Sequence, residues 1–167
     1  ESWNGTVKPL ALLGLPELGR GFDPDRIPIT PVGYGAITQT ITIPALEDLA
    51  NPTLSFWYRV ISYDVLYTSD QRLYDSFDAY ILTGTGEKLI LRDGNTGPFS
   101  ETMPPADSGW KLKQYSLAAY AGQTIGIRFA CYNRNDKAYN TWAYVDDIRV
   151  SGAFETRTWL PSILNNR

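Results

Sequence analysis

Between residues 36 and 44 apolar and polar side chains alternate, with Ile37, Gln39, Ile41 and Ile43 on one side and mostly Thr on the other. That period of two is the mark of a half-buried antiparallel strand. It recurs along most of the chain. Residues 53–62 set Leu54, Phe56, Tyr58 and Val60 on one face and leave Trp57 and Arg59 on the opposite one. Residues 76–83 and 87–92, joined across Gly84 and Gly86, read as a hairpin. Further strands are predicted over 110–117, 125–132 and 142–150, and a first one over 7–14, where Pro9 marks an edge or a strand start. Stretch 15–34, rich in Pro, Gly and Asp, reads as a long loop. Only the Ala-Ala-Tyr-Ala piece at 118–121 suits a helical turn, so no helix is available to carry a parallel crossover. The expected fold is all-β, an antiparallel two-sheet β-sandwich.

The last predicted strand carries an anomaly. Strict alternation over Tyr-Val-Asp-Asp-Ile-Arg-Val puts Tyr144, Asp146, Ile148 and Val150 on one face and Val145, Asp147 and Arg149 on the other. Asp146 then lies on the more apolar face, where a carboxylate needs a hydrogen-bonding, ionic or metal partner. Asp147 is expected on the surface, solvated or salt-bridged. With no His and a single Cys, the metal suited to such a site is a hard, oxygen-bound cation. Asp75 shares parity with Phe77 and Ala79 and poses the same question; its plainer reading is a turn-capping carboxylate. Asp23 with Asp25, and Asp64 with Asp70, fall in polar loops and are expected to be solvated, although such loops also gather weak calcium sites.

Composition narrows the function. A chain of 167 residues buries one good core. Its net charge of −3 and its scattered basic residues exclude a nucleic-acid-binding stripe. No run approaches the roughly 18 apolar residues of a membrane span. The absence of His removes Ser-His-Asp and Cys-His nucleophiles, and the six Glu residues occur singly rather than as facing pairs, so no enzyme is expected. Cys131, inside an apolar run, reads as a small buried hydrophobe. The chain opens on Glu1 and reads as a processed or excised piece of a longer protein.

The order of several pieces resembles a known group. Leu-Ala-Leu-Leu-Gly-Leu-Pro near the start, Thr-Leu-Ser-Phe-Trp-Tyr-Arg-Val, Tyr-Asp-Ser-Phe-Asp-Ala-Tyr-Ile, the Leu-x-x-Tyr-x-Gly-Gln turn that leads into a strand, and the closing Val-Asp-Asp-Ile succeed one another over about 5–152. They resemble the jelly-roll ectodomains of the galactose-binding-like, MAM-like and carbohydrate-binding-module group, which accompany secreted bacterial peptidases, glycoside hydrolases and surface proteins. The resemblance implies a structural calcium held by Asp146 with an acidic residue near the first strand, for which Glu1 is the match; an Asp at the position of Asp75 also belongs to the pattern. It implies a secreted or cell-surface setting as well.

Ligand binding in such a frame calls for aromatic platforms beside planar polar groups. Two places supply them: Trp57 with Arg59 on one strand face, and the stretch 131–142 with Tyr132, Asn133, Arg134, Tyr139 and Trp142. The second is favoured because loops on a rigid sandwich commonly carry binding. Stretch 63–74 is a further aromatic loop. The expected organisation is a jelly roll over 1–152 and a C-terminal extension over 153–167, whose Trp159, Leu160, Ile163 and Leu164 suit docking on the domain or a partner. The function expected is a non-catalytic, calcium-stabilised module binding carbohydrate or a surface polymer for an exported protein. The alternative is a structural or protein-interaction domain beside a secreted peptidase or other surface protein, without sugar binding.

Overall fold

The computed structural model describes residues 10–19, 32–64, 72–97, 105–134 and 139–153. Among the described residues nine strands follow in order: β1 (Ala11–Leu13), β2 (Gly33–Thr42), β3 (Ala50–Ser62), β4 (Ser76–Thr83), β5 (Gly86–Asp93), β6 (Ala106–Asp107), β7 (Lys111–Ser116), β8 (Thr124–Asn133) and β9 (Thr141–Ala153). One sheet runs β1-β9-β3, with β6 and β7 sharing the far edge of β3; the other runs β2-β8-β4-β5. Every pairing is antiparallel. The pairings nest, β4 with β5, β3 with β7, β2 with β8 and β1 with β9, so the chain is one long hairpin rolled into two sheets. The expected antiparallel sandwich is the observed fold. Among the described residues no helix is long and apolar enough to cross a membrane.

Alternation decides the core. Leu54, Phe56, Tyr58 and Val60 of β3 face Phe77, Ala79 and Ile81 of β4 and Ile125, Ile127, Phe129 and Cys131 of β8, all buried. Phe56 meets Phe129 edge-on at 4.7 Å between ring centres, and Tyr58 stacks on Phe77 at 5.4 Å. The Cys131 thiol is buried as expected, and desolvation pushes its pKa well up. Gly14, at φ 99°, lies where a side chain would collide with the Thr141 carbonyl oxygen and the Trp142 Cβ, both 2.9 Å away. No other residue gives β1 that approach to β9 without strain.

Strict alternation fails in β9. Trp57 pairs with Asp146 but Ser55 pairs with Arg149, so β9 carries one extra residue opposite β3, a β-bulge. Asp147 absorbs it with φ of 52°. Before the bulge the inward positions are Ala143 and Val145; after it, Val150 pairs with inward Leu54. Asp146 is therefore on the outward face with Trp57, which corrects the expectation that it shares a face with Ile148 and Val150. Its Oδ1 accepts the Asp147 N–H at 2.7 Å, and Asp147 pairs with Arg149 at 2.6 Å. A carboxylate that closes a local turn at the bulge explains Asp146 without burial.

Candidate functional site

The residues expected to form a binding loop at 131–142 are divided by the fold. β8 extends through Asn133 and β9 begins at Thr141, so Tyr132, Asn133 and Trp142 are strand residues. Asn133 and Trp142 are buried, Trp142 at 8% exposure. This corrects the expectation that they present polar and aromatic surface. Asn133 donates from Nδ2 to Asn140 Oδ1 at 3.2 Å and accepts the Thr141 N–H at 3.3 Å. Asn140 in turn donates to the carbonyls of Leu15 and Gly19. The asparagines thus satisfy backbone groups where two connections meet. Tyr139 is half-buried two residues before β9.

Tyr132 and Arg134 do reach solvent, together, on the outward face of the four-stranded sheet. Even-numbered residues of β8 point outward, as do those of β2 and β4 paired with them: Tyr34 lies opposite Tyr132, and Asp78 and Tyr80 lie opposite Ala130 and Arg128. Tyr34 is 65% exposed, and its ring centre is 5.1 Å from that of Tyr132 at a 35° tilt. The Arg134 guanidinium lies 4.1 Å over the Tyr132 ring, and that of Arg128 lies 4.4 Å over Tyr80. Both are cation–π contacts.

Beneath this layer Asp78 is wholly buried. Arg92 donates to it from Nε at 2.9 Å and from Nη2 at 2.6 Å, Tyr80 donates its hydroxyl at 2.7 Å, and Arg134 Nη2 lies 3.3 Å away. Burial alone would raise the Asp78 carboxyl, but the bonds from Arg92, Tyr80 and Ser76 hold it below the ordinary carboxylate range. Burial and then Asp78 push the Tyr80 hydroxyl up. Arg134 Nη1 also donates to Ser76 Oγ at 2.9 Å, and its backbone N–H donates to Asp75 Oδ1 at 2.6 Å. Arg128 pairs with Glu87 at 2.7 Å. The result is an aromatic ledge held among guanidinium and carboxylate groups whose orientations are fixed by one another.

Tyr34, Asp78, Tyr80, Arg92 and Arg128 were not singled out in the sequence, although a signal was there. Asp78 with Tyr80, and Arg128 with Tyr132, share the parity opposite the core residues of their strands.

The second expected pair, Trp57 and Arg59, lies on the outward face of the other sheet, as the alternation predicts. Trp57 pairs with Leu112 and Arg59 with Tyr144; Tyr144 contacts the exposed Trp110 at 6.4 Å. Leu12, also exposed, lies opposite Tyr144. Arg59 is not available to bond a ligand with its whole fork, because Nε at 2.9 Å and Nη2 both donate to Asp107.

Of the three carboxylates expected at a metal, Glu1 lies outside the described residues, as do Asp23, Asp25, Asp70 and the extension beyond 153. Asp75 and Asp146 belong to different sheets, Asp75 at the head of β4 and Asp146 in β9. Asp64, expected to be solvated, is buried, with its carbonyl accepting from Asn95 Nδ2 at 2.7 Å. Among the described residues no group of three or more His, Cys, Asp or Glu is placed to hold an ion.

No protein-family model and no curated protein matches the sequence. Among solved structures, the chain is similar to a family 61 carbohydrate-binding module in complex with β-1,4-galactotriose, with 13% identity, 72% of this chain and 63% of that chain covered, and a TM-score of 0.43. It is similar to the K3 cleaved adhesin domain of Lys-gingipain from Porphyromonas gingivalis at 16% identity, 80% and 71% coverage, and a TM-score of 0.43. For a family 4 carbohydrate-binding module the values are 11% identity, 75% and 66% coverage, and a TM-score of 0.33. This chain spans less than two thirds of the length of either carbohydrate-binding module. At these identities and scores the likenesses carry no weight for its ligand.

Proposed function

We propose that this chain is a non-catalytic module that binds carbohydrate or a surface polymer on the outward face of its four-stranded sheet. The observation that carries the reading is the Tyr34–Tyr132 ledge, open to solvent and flanked by Arg134, Arg128 and Glu87. A sugar ring lays its C–H face on such an aromatic surface while fixed planar groups bond its hydroxyls. Strand-borne, mutually paired side chains lose little freedom when a ligand arrives, so directional bonding is cheap to form. The setting in this reading is an exported protein, secreted or at a cell surface. A glycan array probed with the intact chain tests it. Binders should appear, and Tyr34→Ala should weaken them roughly ten-fold while shifting stability by less than about 0.5 kcal/mol. An array with no binder, or a Tyr34→Ala variant of unchanged affinity, would overturn it.

Calcium belongs to this reading as a structural component, held by Asp146 with Glu1. Its test is thermal unfolding before and after chelation: a midpoint that falls with EDTA and recovers on calcium add-back supports it, and an unmoved midpoint removes it from the proposal.

A second reading, a protein-interaction domain without sugar binding, is favoured by one observation. Leu12, Trp57, Trp110 and Leu112 are all exposed on the outward face of the five-stranded sheet. Exposed apolar groups gathered on one face are characteristic of docking surfaces.

A further inference from the structure

On the ledge face the charges are layered. Asp78 is wholly buried, whereas the two arginines that share it, Arg92 and Arg134, keep 43% and 30% of their side-chain surface in solvent. Arg128, partly exposed, is the third guanidinium there, stacked on Tyr80 and paired with Glu87. Solvent therefore meets mostly cation. Both Asp78 oxygens are engaged, Oδ1 by Arg92 Nε and Oδ2 by Arg92 Nη2, the Tyr80 hydroxyl and Arg134 Nη2. Asp75 is buried as well and accepts the Arg134 backbone N–H. Among the described residues of this face only Glu87 carries a carboxylate into solvent, and one of its oxygens is taken by Arg128.

This makes the face rich in donors and poor in free acceptors, because a guanidinium donates and never accepts. A hydroxyl both donates and accepts, while an ionised acid group only accepts. The donors also converge. Arg92 lies opposite Asp78 and Asp78 opposite Ala130, so Arg92 reaches the row between Arg128 and Tyr132. The Arg134 guanidinium lies over Tyr132 and reaches the same Asp78. Two fixed cations thus share one buried anion at the rim of the Tyr34–Tyr132 ledge.

We propose that the ledge selects acidic sugars: its polymer carries carboxylate or sulfate groups that accept hydrogen bonds from Arg92, Arg128 and Arg134 while a ring lies on Tyr34 and Tyr132. This rests on the carbohydrate-binding reading above and narrows its ligand class. The chain's net charge of −3 opposes a polyanion at long range. That repulsion is screened over about 8 Å at physiological salt, whereas charge-assisted bonds to the guanidiniums act at contact and prevail.

Four polymers test the selection on the intact chain: polygalacturonate and its carboxyl-reduced neutral form, and dextran sulfate and dextran. In about 0.15 M salt at least one acidic polymer should bind roughly ten-fold tighter than its neutral counterpart, and which one does so separates carboxylate from sulfate. Arg128→Gln and Glu87→Gln break the same surface pair and should lower stability alike. Their effects on acidic-polymer affinity should be opposite, about three-fold weaker for Arg128→Gln and about three-fold tighter for Glu87→Gln. Equal affinity for acidic and neutral polymers, binders confined to neutral glycans, or variants that shift affinity in the same direction would refute the charge selection and leave carbohydrate binding standing. A chain that binds none of the four polymers and nothing on the glycan array removes the carbohydrate reading itself, and the selection with it.

Discussion

The two outward faces of this sandwich are built from the same alternation and end up chemically opposed. On the four-stranded sheet the outward positions are Tyr34, Tyr132, Tyr80, Arg128, Arg92 and Asp78, tied to each other by ion pairs, ring contacts and a buried carboxylate. On the five-stranded sheet Trp57, Leu112, Leu12 and Tyr144 gather on the outward face beside the Arg59–Asp107 pair and Asp146, with Ser55, Gln114 and Arg149 further along the strands. The first face offers fixed, directional donors and acceptors; the second offers area without direction. Inward alternation builds one core, whereas the outward residues are free to specialise each sheet. Polyhydroxylated ligands need the first kind of surface and an apolar partner needs the second.

The strongest way to break this contrast is to remove the group that organises the first face. Asp78→Ala leaves Arg92 and Arg134 without their shared carboxylate and the Tyr80 hydroxyl without its acceptor. Because the anion is fully buried while its guanidinium partners are partly exposed, a loss of about 3 kcal/mol in unfolding free energy is expected, below the upper range for buried pairs. Chemical denaturation measures it. A loss under about 1 kcal/mol would mean the network is decoration on a face held by other forces.

The sequence made the period legible, and with it eight of the strands, the hairpin at Gly84 to Gly86 and the inward residues of β3, β4 and β8. The short β6 strand was not foreseen, since two residues carry no period. The bulge was invisible for a different reason. Nothing in Asp146-Asp147 says that the second residue takes φ of 52°, and that one dihedral reverses the parity of everything after it, so that Val150 faces inward while Asp146, next to inward Val145, faces outward. The candidate site was half legible. Tyr132 and Arg134 stood in a conspicuous polar aromatic stretch, but their partners Tyr34, Asp78 and Arg92 come from strands far away in sequence and meet only through sheet pairing. The same stretch misled at Asn133 and Trp142, because asparagines that bond backbone and asparagines that bond ligands look alike in one dimension.

A milder intervention sharpens the contrast from the other side. Trp57→Ser with Leu112→Ser removes the centre of the apolar face while leaving the core residues Phe56 and Tyr58 in place. Stability should change by about 1 kcal/mol or less, because the lost cross-strand pair is exposed. Glycan affinity should be unchanged, and binding of an apolar dye or self-association should fall. If the double variant instead abolished glycan binding, the roles assigned to the two faces would be exchanged.

The smallest expected effect separates the two faces by charge. On the apolar face, the bond from Arg59 holds the Asp107 carboxyl down to about 2. The unfolded chain carries this group near the ordinary value of about 3.9. Between those values the unfolded state binds the proton that the folded state refuses, so the stabilisation is complete above the unfolded pKa and is lost as pH falls through the folded one. Both side chains are more than a third exposed, at 36% and 39%, so solvent screening reduces the contribution to about 0.5 kcal/mol. The stability difference between the native chain and Asp107→Asn should accordingly be about 0.5 kcal/mol at pH 6 and shrink toward zero near pH 2, and added salt should reduce it at pH 6. A difference that survived both acid and salt would come from hydrogen-bond geometry rather than charge. Arg59–Asp107 would then resemble the locked pairs around Asp78, and the polar chemistry of the two faces would differ in extent but not in kind.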